Sequence, residues 1–206
     1  MYNTNYYIEQ VEEYVVGLLC ELPDDLCYHN LKHTEEVVEA SKILAKESKL
    51  SSVDEEIVII AAWFHDVGHI ETYFGHEKVG MEIAKKFLTK IKYPKNRLAK
   101  VLNCIMATQY PPKPKNELQK VLCDADMFHL SFEDYENRSK ALKEEIETVI
   151  DKEIPSNDWH IQNVEFLQEH CYFTSYGKKI LNFLKEKNLK QYFNNHCCQN
   201  RAKGRK

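Results

Sequence analysis

Eight consecutive apolar residues, Ile57-Val58-Ile59-Ile60-Ala61-Ala62-Trp63-Phe64, run directly into His65-Asp66-Val67-Gly68-His69. This junction constrains the chain more than any other stretch. A run that is apolar on every side must be buried on every side. Because it ends in adjacent imidazole and carboxylate groups, it delivers two potential metal ligands to the floor of a cleft. Neighbouring side chains on a helix diverge by about 100°, so both reach one ion only where the helix ends or loses its regularity. Gly68 is expected to supply that ending. Upstream, Ser52-Val53-Asp54-Glu55 reads as a capping box with carboxylates placed favourably against the helix dipole. The apolar run alone would also fit a buried strand, but the cap and the total length select a helix.

The remaining sequence extends this into an all-α expectation, since 206 residues contain only 6 Gly and 6 Pro and no apolar/polar alternation. Helices are predicted from about Asn5 to Glu21, ended by Pro23-Asp24-Asp25, and from Tyr28 towards Lys49. Others follow Gly75-His76-Glu77, Pro94 and Leu118. Ser131 to Ile150 is expected to be a helix whose many charges form a solvated outer face. Two closing helices are expected over Asp158 to Cys171 and Thr174 to Asn188. The Pro111-Pro112-Lys113-Pro114 cluster must be a loop and is expected to rim the cleft, with Lys113 and Lys115 as solvated surface. A single helical domain over 1–193 is expected, followed by a polar, basic tail, 194–206, expected to be disordered.

Composition excludes several classes. With 28 basic and 32 acidic residues the net charge of −4 gives no reason to expect nucleic acid as a partner. The opening ten residues are polar and tyrosine-rich, unlike a secretory signal, and no apolar run approaches the ~20 residues of a membrane span. Seven cysteines, odd in number and without a CxxC pair, read as free thiols in a reducing compartment. A cytoplasmic protein without membrane contact is the expectation; the oligomeric state is open.

Further candidate ligands flank the central junction. His29 and His33 are four residues apart and would share a helix face. Asp124 and Asp126 sit among apolar residues in Cys123-Asp124-Ala125-Asp126-Met127-Phe128, where uncompensated acids are costly and a cation would supply the partner.

In the order H, HD, D, the residues His33, His65-Asp66 and Asp126, with Tyr28-His29-Asn30-x-x-His33 and His-Asp-x-Gly-His, are similar to the metal site of the HD-domain superfamily of metal-dependent phosphohydrolases. The resemblance covers about 28–128 and extends towards Tyr172. It implies a helical bundle with a central divalent ion, Mn, Fe, Co, Ni, Zn or Mg, bound by His33, His65, Asp66 and Asp126; Asp126 is preferred to Asp124 on the family's Ala-Asp-hydrophobic pattern. It implies metal-assisted hydrolysis of a small phosphorylated substrate, nucleotides first among them, by activated water. Asp66 would be central to catalysis, and His29 matches a position that protonates the leaving oxygen in the cyclic-nucleotide phosphodiesterase branch. His76 and Asp124 are candidates for a second ion or its surroundings, although the later histidine expected near Thr108-Gln109 is missing. Arg138, Thr108 and His69 are candidates to meet the substrate. An iron-dependent oxygenase and a non-catalytic nucleotide sensor are the rival readings.

Overall fold

A computed structural model describes residues 4–22 and 25–203. Within them the chain forms α1 (Thr4–Leu19), α2 (Leu31–Glu47), α3 (Ser52–Phe64), α4 (His76–Lys90), α5 (Lys95–Ala107), α6 (Glu117–Asp126), α7 (Tyr135–Ile150), α8 (Ser156–Glu169) and α9 (Asn182–Lys203). Short 3₁₀ turns follow α3 (Val67–Ile70) and α6 (Met127–Ser131), and a π turn at Gly177–Leu181 leads into α9. No strand occurs among the described residues, so the all-α expectation holds.

The apolar run explains the arrangement. Every residue from Glu56 to Phe64 is buried, which requires neighbours all round. α1, α2, α5 and α6 supply them by packing against α3, while α4 lies against α5 and the turn after α3. Val11, Val15, Leu44, Leu88, Val101, Ile105 and Leu122 join α3 in the main core. Leu130, Tyr135, Leu167 and Tyr192 form a smaller cluster under α7, α8 and α9. Asp124 fastens the C-terminal part to this core. Its carboxylate accepts bonds from the amides of Phe173 and Thr174, each at 2.8 Å, and from Thr174 Oγ1 at 2.7 Å. Tyr172 is buried too, its hydroxyl donating to the Met127 carbonyl at 3.0 Å.

Several local expectations shift. The N-cap of α3 is Ser51, not Ser52: its Oγ accepts the Asp54 amide at 3.2 Å, so the box starts one residue earlier. Gly68 is not a left-handed cap. It lies inside the 3₁₀ turn, and a Cβ there would stand 2.0 Å from the His76 carbonyl oxygen, so glycine is required for α4 to approach. The helix from Tyr28 begins only after Asn30, whose side chain accepts the His33 amide at 3.2 Å. Of the first interruption, Pro23 and Asp24 lie outside the described residues. The boundary expected at 193 does not coincide with a helix end: with no Gly or Pro before Gly204, α9 continues to Lys203. Residues 204–206, and side chains from 194 onward, lie outside the described residues. The described cysteines, Cys20, Cys27, Cys104, Cys123 and Cys171, are free thiols. No described helix is long and apolar enough to cross a membrane.

Candidate metal centre

Three backbone features bring the central residues together. Asn30 caps α2 and thereby places His33 in that helix's first turn. α3 ends at Phe64, with His65 as its C-cap (φ −57°, ψ −40°), and the backbone changes at Asp66 (φ −106°, ψ −1°). That change lets two adjacent side chains converge, as the run's abrupt ending requires. Asp126 is the last residue of α6.

Asp66 is the pivot. Its Oδ2 lies 3.1 Å from His65 Nε2 and 3.4 Å from His33 Nε2, and its Oδ1 lies 3.3 Å from His76 Nε2. Asp126 Oδ1 closes the group at 3.4 Å from His33 Nε2 and 3.7 Å from His65 Nε2. One ligating atom from each of His33, His65 and Asp66 lies within 4.8 Å of the others, and the same holds for His29, Asp66 and His69. Ring tautomers follow from backbone contacts: His65 Nδ1 donates to the Ala62 carbonyl at 2.7 Å and His76 Nδ1 to the Tyr73 carbonyl at 3.1 Å. Both rings therefore turn Nε2 towards Asp66, the nitrogen through which an imidazole so oriented would ligate a metal once deprotonated.

The electrostatics are those of a cluster that needs positive charge. Burial would lower the pKa of His33, but the Asp126 and Asp66 carboxylates beside it outweigh this and raise it to about 10. For His76, burial is likewise outweighed by Asp66, and the value rises to about 9. Asp66 is held well below the usual carboxylate range: burial acts against this, and the His65, His33 and His76 imidazoles overcome it. Protons on these imidazoles balance the two carboxylates, the role a divalent ion would take over. The fit to an ion also shows in buried atoms without hydrogen-bond partners, His33 Nε2, His65 Nε2 and Asp66 Oδ2. Native interiors rarely leave such atoms unsatisfied.

A second layer surrounds this group. His29 precedes α2 rather than lying on it, so it does not share a helical face with His33, yet their ring centroids are 5.9 Å apart. Glu145, fully buried on α7, fixes His29: it contacts His29 Nδ1 and accepts the Tyr28 amide at 2.7 Å, the His29 amide at 2.9 Å and the Tyr73 hydroxyl at 3.1 Å. The expected solvated face of α7 thus contains one inward carboxylate, which sequence periodicity could not separate from its charged neighbours. His69 stacks between His29 (4.5 Å) and His76 (3.9 Å); burial pushes its pKa down to about 3, and neither ring nitrogen has a partner. His129, also missed in the sequence, lies with Nδ1 3.0 Å from the Asp126 carbonyl and Nε2 3.1 Å from the Tyr28 hydroxyl. No motif signalled it.

Two expected contributors sit elsewhere, and a third lies beside the centre with its charge already paired. Asp124 is two residues from Asp126, and two helical positions rotate the side chain by about 200°, so it points to the Phe173-Thr174 latch instead of the ion site. Arg138 is committed to carboxylates: Nη1 and Nη2 meet Glu36 at 2.5 and 3.0 Å, and Nε meets Asp134 at 2.8 Å. It lines a pocket of about 200 Å³ together with His33. Thr108 spends its hydroxyl on the Ile105 carbonyl at 2.8 Å, completing the end of α5. The proline loop borders a separate groove to which none of the four central residues contributes, so it does not rim this cleft.

No curated protein sequence matches the chain. Among solved structures it resembles a crystal structure from an uncultured Thermotogales bacterium described as a "predicted HD superfamily hydrolase", with 22% identity and a TM-score of 0.55 over 78% of this chain and 88% of that one. At that identity the likeness is one of fold. The HD domain family model matches residues 30–131, a span that contains His33, His65, Asp66 and Asp126 and stops short of Glu145. With that match and the convergence of those four side chains, the chain belongs to the HD-domain superfamily.

Proposed function

We propose that this protein is a metal-dependent phosphohydrolase that cleaves a phosphate ester or anhydride, with nucleotides as the expected substrate class. One observation carries the reading: buried ligating atoms of His33, His65 and Asp66 converge on one another at 3.1 to 3.4 Å with no partner outside the cluster, and Asp126 completes a mixed nitrogen and oxygen set. Such a set suits a divalent first-row ion or Mg. The description of the Thermotogales protein as a hydrolase is in keeping with this.

His33, His65, Asp66 and Asp126 would hold the ion. Bound there, it supplies Lewis acidity, polarising a phosphoryl oxygen and acidifying water. The protein's own groups do the rest. The carbonyls of Ala62 and Tyr73 keep His65 and His76 aimed at Asp66. Glu145 occupies Nδ1 of His29 and leaves Nε2 as the nitrogen able to hand a proton to the leaving oxygen. His69, kept neutral by burial, offers a donor beside Asp66 for a substrate oxygen. Arg138 shapes the neighbouring pocket through Glu36 instead of binding phosphate itself.

The test is release of phosphate or nucleoside by metal-stripped protein, with Mn, Fe, Co, Ni, Zn and Mg added in turn. The panel comprises nucleoside mono-, di- and triphosphates, cyclic nucleotides and a generic diester. Metal-dependent turnover that disappears in Asp66→Ala is the expected result. Turnover unchanged in Asp66→Ala, or no turnover with any ion, would overturn the reading.

A further inference from the structure

The overall charge of −4 conceals a strong segregation. Between Lys78 and Lys120 there are eleven basic and two acidic residues, whereas the rest of the chain has 17 basic and 30 acidic. α4 and α5, which form most of this segment, pack against each other and bury Gly80, Ala84, Leu88, Val101, Cys104 and Ile105. Their lysines are therefore left on the outside. Lys86, Lys90, Lys92 and Lys95 are exposed and form no ion pair among the described residues.

At the far end of α5 the same segment opens into a groove of about 620 Å³. Its walls carry the amides of Asn103, Gln109 and Asn116, its edge carries exposed Lys113 and Lys115, and Tyr110 stands 69% exposed beside them. We propose that this groove, with the lysine-bearing outer face of α4 and α5, binds single-stranded nucleic acid. Cations that follow a phosphate backbone and an aromatic ring on which a base can stack are the two elements such binding requires. The Asn and Gln amides add donors and acceptors suited to base edges. A duplex would use the lysines but have no access to Tyr110 with its bases paired. An anionic membrane calls for an amphipathic apolar face, and a lone tyrosine does not make one. The acidic excess of the molecule lies in residues 1–77 and 121–175, with 29 acidic and eight basic residues, and disfavours a strand on the faces they form.

Fluorescence anisotropy of the full chain with an end-labelled oligothymidine of about 12 nucleotides tests this. Its duplex counterpart and phosphatidylglycerol vesicles serve as the other arms. Binding should favour the single strand and weaken linearly in log–log terms as salt rises; Lys113→Gln with Lys115→Gln should flatten that slope by about 0.7 for each phosphate that is no longer neutralised. Tyr110→Ala should weaken binding roughly 5- to 150-fold with the salt slope kept, the range for base stacking on an aromatic side chain. These side chains are exposed, and unchanged far-UV circular dichroism would confirm that the variants fold. No binding at about 50 mM salt would overturn the proposal. So would duplex or vesicles bound as tightly as the single strand, or affinity untouched by Tyr110→Ala.

Discussion

At the residue scale, the least expected group is Glu145. It is fully buried and meets His29, Tyr73 and two backbone amides from a position 116 residues further along the chain. Burial alone would raise its pKa; the contact with His29 and the amides of Tyr28 and His29 overcome that and hold it below the ordinary 4.5. Since the folded value is depressed, the stability Glu145 contributes is complete above pH 4.5 and is lost as pH falls through the folded value. Glu145→Gln should therefore lower stability by about 2 kcal/mol near neutrality, with the gap to the parent protein narrowing below pH 4.5. Thermal unfolding of both proteins across pH checks this, and a gap that stayed constant into acid would remove the charge from the explanation. The variant should also lower turnover by about 10- to 100-fold, as loss of a group that orients a working imidazole does. The sequence gives no hint of this pairing, because one Glu in a charged helix looks like all the others and its partner lies far away in the chain.

At the element scale, α6 assigns opposite tasks to two acids on one helix. Asp126, at its end, meets His33 and His65, whereas Asp124 holds the strap at Phe173-Thr174 that fastens the C-terminal helices. Asp124→Asn should destabilise the fold by about 2–4 kcal/mol through weakened charge-assisted bonds yet retain bound metal. Asp126→Asn should instead weaken metal binding, and in the metal-free protein it removes a carboxylate paired with buried His33, so its unfolding midpoint falls as well. Metal content of the two variants separates these outcomes; metal lost equally in both would break the division. The motif order made Asp126 legible, but the direction of Asp124 depends on a partner about fifty residues away. Helix existence was legible almost throughout, because burial of α3 forces apolar periodicity onto the helices around it. Ends were less so: Gly68 is explained by the closeness of α4, a tertiary contact invisible in local sequence.

At the scale of the whole molecule, the centre joins parts that are distant in the chain. His33 lies in the first turn of α2, His65 and Asp66 follow the end of α3, and Asp126 ends α6, so an ion held by them would tie together three helices of the main core. The described cysteines are free, so no disulfide among them shares that task. An ion that binds the folded chain and not the unfolded one stabilises it by about 2.7 kcal/mol when present at 100 times its dissociation constant. For a chain of this size each kcal/mol raises the midpoint by about 2–4 °C, giving an increase of roughly 5–10 °C. The increase should follow ion concentration and be reversed by a chelator. His65 donates Nδ1 to Ala62 at the end of α3, and its Nε2 faces only the Asp66 and Asp126 carboxylates. His65→Ala should accordingly keep its helical content while its midpoint no longer responds to the ion. Differential scanning calorimetry of metal-stripped parent and variant, titrated with each divalent ion, decides the matter. A parent midpoint indifferent to every ion, or a His65→Ala midpoint that rises as the parent's does, would show that this cluster does not hold the metal.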